Sequence, residues 1–307
     1  MENTFCKQID AFAKSFNTKM RIEKKSKNTI EAYSRTYRDF ILFCQQHYKE
    51  LTFKNIREED IYAFIEYKSD TMQKQGDLSV SSTNAIISHL KRLFKHIERN
   101  SDELYDFDKV FQDIKLKQPK RVPKGLTEKE VEKLLNYLEK MKSADTFIAI
   151  RNVTLIKIIL FGGLRASEAV SIKLSNIELQ NGLYKISFKG KGDKNRVTYI
   201  HQELLEDELT TLQQDHKLQN DEYIAKTSGE NRMDRIQLSK MINSVFVRAG
   251  LQPKGIHILR HTAAKRLLSK GVSIVVVQSI LGHSSIQTTS IYANPTEDIV
   301  RREIVAK

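Results

Sequence analysis

Residues His257 to Pro295 read HILRHTAAKRLLSKGVSIVVVQSILGHSSIQTTSIYANP. Apolar spacing predicts helices over 258–269, 273–281 and 287–293. Inside this stretch, His257 and Arg260 stand three apart and share roughly one helix face. His257 and His261 stand four apart, the spacing of zinc-binding H-E-x-x-H helices, but Ile258 occupies the position of the glutamate base. Further on, Tyr292 lies in a polar, Ser/Thr-rich run just before Asn-Pro, nine residues after His283. A tyrosine there is either packed or chemical, and other parts of the chain bear on the choice.

A second arginine follows a glycine pair in FGGLRASEAVSI. Arg165 sits where a turn opens a helix at Ala166, a place suited to an anion; the competing reading is a surface arginine capped by Glu168. YKISF (Tyr184–Phe188) and RVTYI (Arg196–Ile200) flank KGKGDKN, predicting a β-hairpin with a Gly- and Lys-rich turn. Lys191 in that turn can reach a cleft and donate a proton, although turn lysines are also common as plain surface. Lys194 shares the turn.

Together these residues form an inventory of arginines, histidines, a lysine and a tyrosine without an acidic or cysteine cluster. It suits metal-free phosphoryl transfer, in which arginines neutralise the transition state's oxygens. The nucleophile is then protein-borne, and tyrosine is one that proteins use. At its ordinary pKa of about 10, only about one phenol in a thousand is ionised at pH 7. A base or a strong positive field must therefore help: His257 is one candidate base, and Arg165 and Arg260 supply a field.

The motifs GLRASEAV, GKGDKNR and the quoted stretch, in that order, resemble the tyrosine recombinase (phage integrase) family, and the Xer-like members within it. The likeness spans most of residues 126–295. SKNTIEAYSRTYRDFILF and VSSTNAIISHLKRLFKHI resemble that family's helical, SAM-like core-binding domain. The resemblance implies a site-specific DNA recombinase that needs no metal, cofactor or ATP. It assigns Arg165 as the first catalytic arginine and Lys191 as general acid for the leaving 5′-oxygen. His257 and Arg260 become the H-x-x-R pair, and His283 a hydrogen-bond donor to the scissile phosphate. Tyr292 is the nucleophile of a 3′-phosphotyrosine link. His261 and His89 are left as packing or surface groups. The alternatives are a type IB topoisomerase with the same chemistry, a catalytically silent DNA-binding regulator, and a zinc hydrolase built on His257 and His261.

The bulk composition agrees. The 307 residues carry 51 Lys+Arg against 38 Asp+Glu, a formal charge of +13. The excess divides evenly, +6 up to Lys124 and +7 beyond it, as expected if both parts touch one polyanion. No apolar run approaches the ~20 residues of a membrane span, and no signal peptide is visible at the start. Cys6 and Cys44, which form no CxxC pair, fit a reducing, cytoplasmic setting.

Sparse Gly and Pro and helical periodicities predict a mostly α chain with a small β-sheet or hairpin. In the first part, helices are predicted over about 2–19, 28–48, 58–71 and 80–97. Residues 1–113 are read as a helical DNA-binding domain, and 114–125 (IKLKQPKRVPKG) as a basic linker with almost no core. Residues 126–307 are read as the catalytic domain, opening with a Thr127/Glu130 capping box and continuing in helices over 145–161, 203–214 and 237–248. Such a plan suggests a clamp on duplex DNA. Lys27, Arg35, Lys91 and Arg92 in the bundle, and Lys120, Arg121 and Lys124 in the linker, are the candidate phosphate contacts. The family resemblance implies a homotetramer on two DNA sites, coupled through a short helix after Tyr292.

Overall fold

The computed structural model describes residues 4–71, 78–112, 114, 116, 125–190, 195–229 and 231–282. The chain divides into two compact units, 1–120 and 121–307.

The first unit contains α1 (Thr4–Ile22), α2 (Lys27–His47), α3 (Glu58–Thr71), α4 (Val80–Asn100) and the single turn α5 (Asp108–Phe111). Hydroxyls cap the two long central helices: Ser26 accepts from the Thr29 N–H and Ser79 from the Ser82 N–H, each at 3.1 Å. These caps satisfy donors that the first helical turn leaves unpaired. The core is aromatic. Phe40 meets Phe64 edge-on at 5.1 Å between centroids, and Phe94 meets Phe107 at 4.8 Å. Such pairs add roughly 0.5–1.5 kcal/mol each beyond simple burial. The Tyr37 hydroxyl, inside this core, donates to the His89 carbonyl at 3.1 Å and ties α2 to α4. Helix α1 runs three residues past the end that periodicity suggested, because Met20 is buried.

The second unit is built around α7 (Phe147–Gly162), which is buried on every side. Its sequence, FIAIRNVTLIKIILFG, is apolar all round, the signature of a central helix. Its two interior cations have partners: Lys157 Nζ meets Glu208 at 2.8 Å, and Arg151 donates to Asn152 and to the Lys226 carbonyl. Around it lie α6 (Glu128–Lys142), α8 (Ala166–Ala169), α9 (Glu206–Gln214), α10 (Arg235–Arg248), α11 (His257–Ser269) and α12 (Ile274–Leu281). The capping box on α6 is present: the Thr127 N–H donates to Glu130 at 2.8 Å and the Glu130 N–H to the Thr127 hydroxyl at 3.2 Å.

The hairpin forms as expected, with β2 (Leu183–Lys189) paired antiparallel to β3 (Asn195–His201), Tyr184 opposite Ile200. A third strand, β1 (Ile177–Gln180), pairs with β2 on its other side. Short and almost wholly exposed, it carries no alternation from which to read it. Two points correct the picture of a core-free linker. Ile114 is buried in the aromatic core of the first unit. Gly125 packs so closely on Thr262 that a Cβ there would lie 3.1 Å from the Thr262 backbone. The helix predicted over 287–293 lies outside the described residues.

Candidate active site

Helix α7 ends in a left-handed residue, Gly163, at φ 67°. Glycine takes that conformation without the cost that a Cβ imposes. Here it is needed twice over, since a Cβ would lie 2.5 Å from Leu281 Cδ2. Two residues on, Arg165 occupies the N-cap position of α8, and its N–H donates to Glu168 Oε2 at 2.7 Å. The Glu168 side chain is only 2% exposed.

Three guanidinium groups converge on this buried carboxylate. Arg165 Nη1 donates to Oε1 at 2.8 Å and Arg196 Nη1 to the same oxygen at 2.6 Å. Arg260 Nη1 lies 3.8 Å from Oε2. The same three side chains reach the end of α12, where they hold three successive carbonyls. Arg196 donates to Ile280, Arg260 to Leu281, and Arg165 to Gly282, the last at 2.9 Å. Arg260 also donates to the Gly163 carbonyl at 2.6 Å, so the ends of α7 and α12 are stitched together. The last carbonyls of a helix lack intrahelical partners and form the negative end of its dipole, so cations are well placed there.

The charge balance of this cluster is three cations to one anion. One carboxylate cannot neutralise three guanidiniums, and the surplus is held rigidly rather than on swinging side chains. Such an arrangement favours a further anion, above all one with several oxygens in a plane of bidentate donors. Arg165 is the most accessible member, with its side chain 29% exposed, against 12% for Arg196 and 7% for Arg260. Burial draws the Arg196 guanidinium below its usual pKa, with Glu168 acting in the opposite direction.

Arg165 and Arg260, found separately in the sequence, thus meet at one carboxylate although they lie far apart along the chain. Glu168 caps Arg165, as one of the two sequence readings has it, but does so as a buried carboxylate. His257 is exposed on the first turn of α11. His261, half-buried next to Arg260, is held below the ordinary histidine pKa by burial first, then by His257 and Arg260. Lys191, His283 and Tyr292 lie outside the described residues, as do Lys120, Arg121 and Lys124. In the first unit, Lys27, Arg35, Lys91 and Arg92 are all exposed, with Arg92 5.9 Å above the Tyr33 ring. His89, left without a role in the sequence, stacks on Tyr33 at 4.0 Å and bonds the Thr36 hydroxyl at 2.8 Å.

Two contributors escape the sequence reading. Glu168 reads there only as a cap. Arg196 reads only as the first residue of a strand, although a charge in the register of the inward-facing Thr198 and Ile200 is a signal.

Comparison with known proteins agrees with this architecture. The phage integrase family matches residues 124–298, and its N-terminal SAM-like domain matches residues 12–102. Tyrosine recombinase XerH of Campylobacter jejuni is 31% identical over 256 residues, covering 82% of this chain and 71% of the relative. Tyrosine recombinase XerD of Listeria monocytogenes is 31% identical over 281 residues, covering 89% of each. Among solved structures, XerH site-specific recombinase bound to palindromic difH substrate, a post-cleavage complex, superimposes with a TM-score of 0.76. It is 28% identical, covering 91% of this chain and 79% of that one. The chain belongs to the phage integrase family and is a tyrosine-type site-specific DNA recombinase.

Proposed function

We propose that the chain cuts and rejoins DNA through a covalent link to Tyr292, with Arg165 and Arg260 holding the scissile phosphate. The Tyr292 phenolic oxygen attacks phosphorus, and the bond to the 5′-oxygen breaks. The phenol's proton passes to His257, and the leaving 5′-oxygen takes a proton from Lys191. His283 donates a hydrogen bond to a non-bridging oxygen. The resulting 3′-phosphotyrosine conserves the energy of the broken ester, so that a 5′-hydroxyl from a second strand can reverse the attack without ATP. The observation that carries this reading is the convergence of Arg165 and Arg260 on Glu168. Fixed positive charge of this kind is what a phosphorane's equatorial oxygens need as their negative charge develops.

Residues 1–113 and 126–307 act as DNA-binding and catalytic domains joined by 114–125, and both contact one duplex. Lys27, Arg35, Lys91, Arg92, Lys120, Arg121 and Lys124 contribute phosphate contacts. Four copies assemble on two recombination sites, as the need to exchange strands pairwise between duplexes requires, and the work is done in the cytoplasm. The similarity to XerH recombinase, solved bound to its difH substrate, supports DNA as partner.

A nicked suicide substrate tests the chemistry. Incubated in EDTA, the parent chain is expected to become covalently trapped on the 3′ side, and Tyr292→Phe to trap nothing. Trapping at the parent's level by the Phe variant would overturn the assignment.

A further inference from the structure

We infer that Arg196 is a positioning residue for strand cleavage: it sets the geometry of Arg165 by fixing Glu168 and the C-terminal end of α12. This deepens the reading above and rests on Arg165 and Arg260 being the phosphate-binding pair.

Three observations bear on it. First, Arg196 and Arg165 share a single oxygen. Both donate to Glu168 Oε1, at 2.6 and 2.8 Å, while the Arg165 N–H holds Oε2 at 2.7 Å, so the carboxylate's orientation, and with it the Arg165 guanidinium, depends on Arg196 as well. Without Arg196, Oε1 loses the shorter of its two guanidinium contacts and the carboxylate can tilt toward Arg260, whose Nη1 lies 3.8 Å from Oε2. Arg165 would then follow the carboxylate or lose it.

Second, Arg196 holds the Ile280 carbonyl, the first of the three α12 carbonyls that the arginines grip. Arg165 holds the third, at Gly282. Movement of the α12 end therefore moves the Arg165 donor, and the chain continues from Gly282 directly to His283 and, nine residues later, Tyr292.

Third, the backbone is shaped around this guanidinium. Gly282 is left-handed, at φ 60°, and a Cβ there would lie 2.3 Å from Arg196 Nε and 2.4 Å from Cζ. Glycine at 282 thus serves a turn and also leaves the space that Arg196 fills. From the other side, the guanidinium lies 5.0 Å above the Phe188 ring, which limits its rotation. Arg196 is less than half as exposed as Arg165, and its two terminal nitrogens are already bonded to Glu168 and to the Ile280 carbonyl. It therefore acts through its neighbours rather than on the phosphate.

The test uses the full chain and a nicked suicide duplex, reading the single-turnover trapping rate and the DNA Kd separately. Arg196→Ala is expected to slow trapping about 10- to 100-fold, the worth of a lost charge-assisted hydrogen bond to a buried group, with the DNA Kd within about threefold. Arg196→Lys keeps the charge but cannot bridge Glu168 and Ile280 at once, so it is expected to be about 3- to 10-fold slow. It also serves as the measurement if the alanine variant does not fold. In an Arg165→Lys background, removing Arg196 is expected to add less than about threefold, because the two act in series. Trapping at the parent rate in Arg196→Lys, a defect carried wholly by DNA Kd, or multiplicative losses in the Arg165→Lys background would each overturn the inference. Trapping by Tyr292→Phe in the same assay would instead overturn the reading beneath it.

Discussion

Arg260 and Arg92 both stand on long helices, yet the chain treats them differently. Arg260 is buried, its guanidinium bonded to two carbonyls and set near Glu168. Arg92 is exposed, resting over Tyr33 with its charge facing water. The contrast extends to the two units. The C-terminal unit buries charged side chains, among them Arg260, Glu168, Lys157 and Glu208, with Arg196 mostly covered, and supplies each with a partner. The N-terminal unit keeps Lys27, Arg35, Lys91 and Arg92 outside and buries aromatic rings. A fixed cation is desolvated in advance, so it can stabilise a transition state without reorganising. A solvated cation gives affinity that depends on salt and carries little geometry. The proposed function uses the first of these properties to orient an anion and the second to hold a polyanion.

Removing the anion at the centre of the C-terminal cluster attacks this contrast most directly. Glu168→Ala leaves three guanidiniums facing one another, and losing one partner of a buried ionic group costs about 3–5 kcal/mol. Chemical denaturation should show that loss, and trapping of the suicide substrate should fall by at least about 100-fold. An ordinary melting curve and normal trapping would mean that the arginines do not depend on a common anchor.

Gly163→Ala comes next. The left-handed backbone and the collision with Leu281 together predict about 2–3 kcal/mol of destabilisation, readable as a lower unfolding midpoint. Trapping should slow as well, because the Gly163 carbonyl holds Arg260.

On the other side of the comparison, the paired change Lys91→Ala with Arg92→Ala is expected to leave unfolding unaltered. DNA affinity should weaken similarly on specific and random duplexes, and the slope of log K against log salt should fall by about 0.9 for each phosphate contact removed. A selective loss on one sequence would show that this face reads bases and would blur the distinction between the units.

The smallest effect concerns pH. Burial first, and Arg92 second, hold His89 below the ordinary histidine pKa; burial and Lys19 do the same for His96. The fold therefore keeps both rings neutral to a lower pH than the unfolded chain does, and the unfolded chain takes up protons first as pH falls. Stability that these groups confer is complete above about pH 6.5 and declines as pH falls below it. Parallel melts of the parent and of His89→Gln between pH 5 and 8 should diverge on the acid side in proportion to this uptake. Identical pH dependence would remove His89 from the account.

Much of the architecture was legible because local rules govern it. The capping box at Thr127 and Glu130, the all-apolar α7 and the hairpin around the Lys-rich turn depend on neighbours within a few residues. The strand β1 was not legible, because an exposed edge shows no alternation. RVTYI illustrates the limit well. By residue type, Val197 and Tyr199 belong inside, yet they are 41% and 50% exposed while Thr198 is buried and Arg196 nearly so. The inversion follows from partners elsewhere: the Thr198 hydroxyl donates to the Gly162 carbonyl at 3.0 Å, and Arg196 meets Glu168. A buried polar group is tolerated only where such partners wait for it.

By itself the order of residues determined the helical periods, the two-part plan and the chemical types available: arginines, histidines, a lysine and a tyrosine suited to an anionic ester. Only the tertiary structure decided that Arg165, Arg196 and Arg260 share one carboxylate and three carbonyls of one helix end. Periodicity reports which face of an element is apolar, but an electrostatic cluster drawn from four separate elements exists only after the chain has closed on itself. Its energy lies in contacts between residues that no local pattern links.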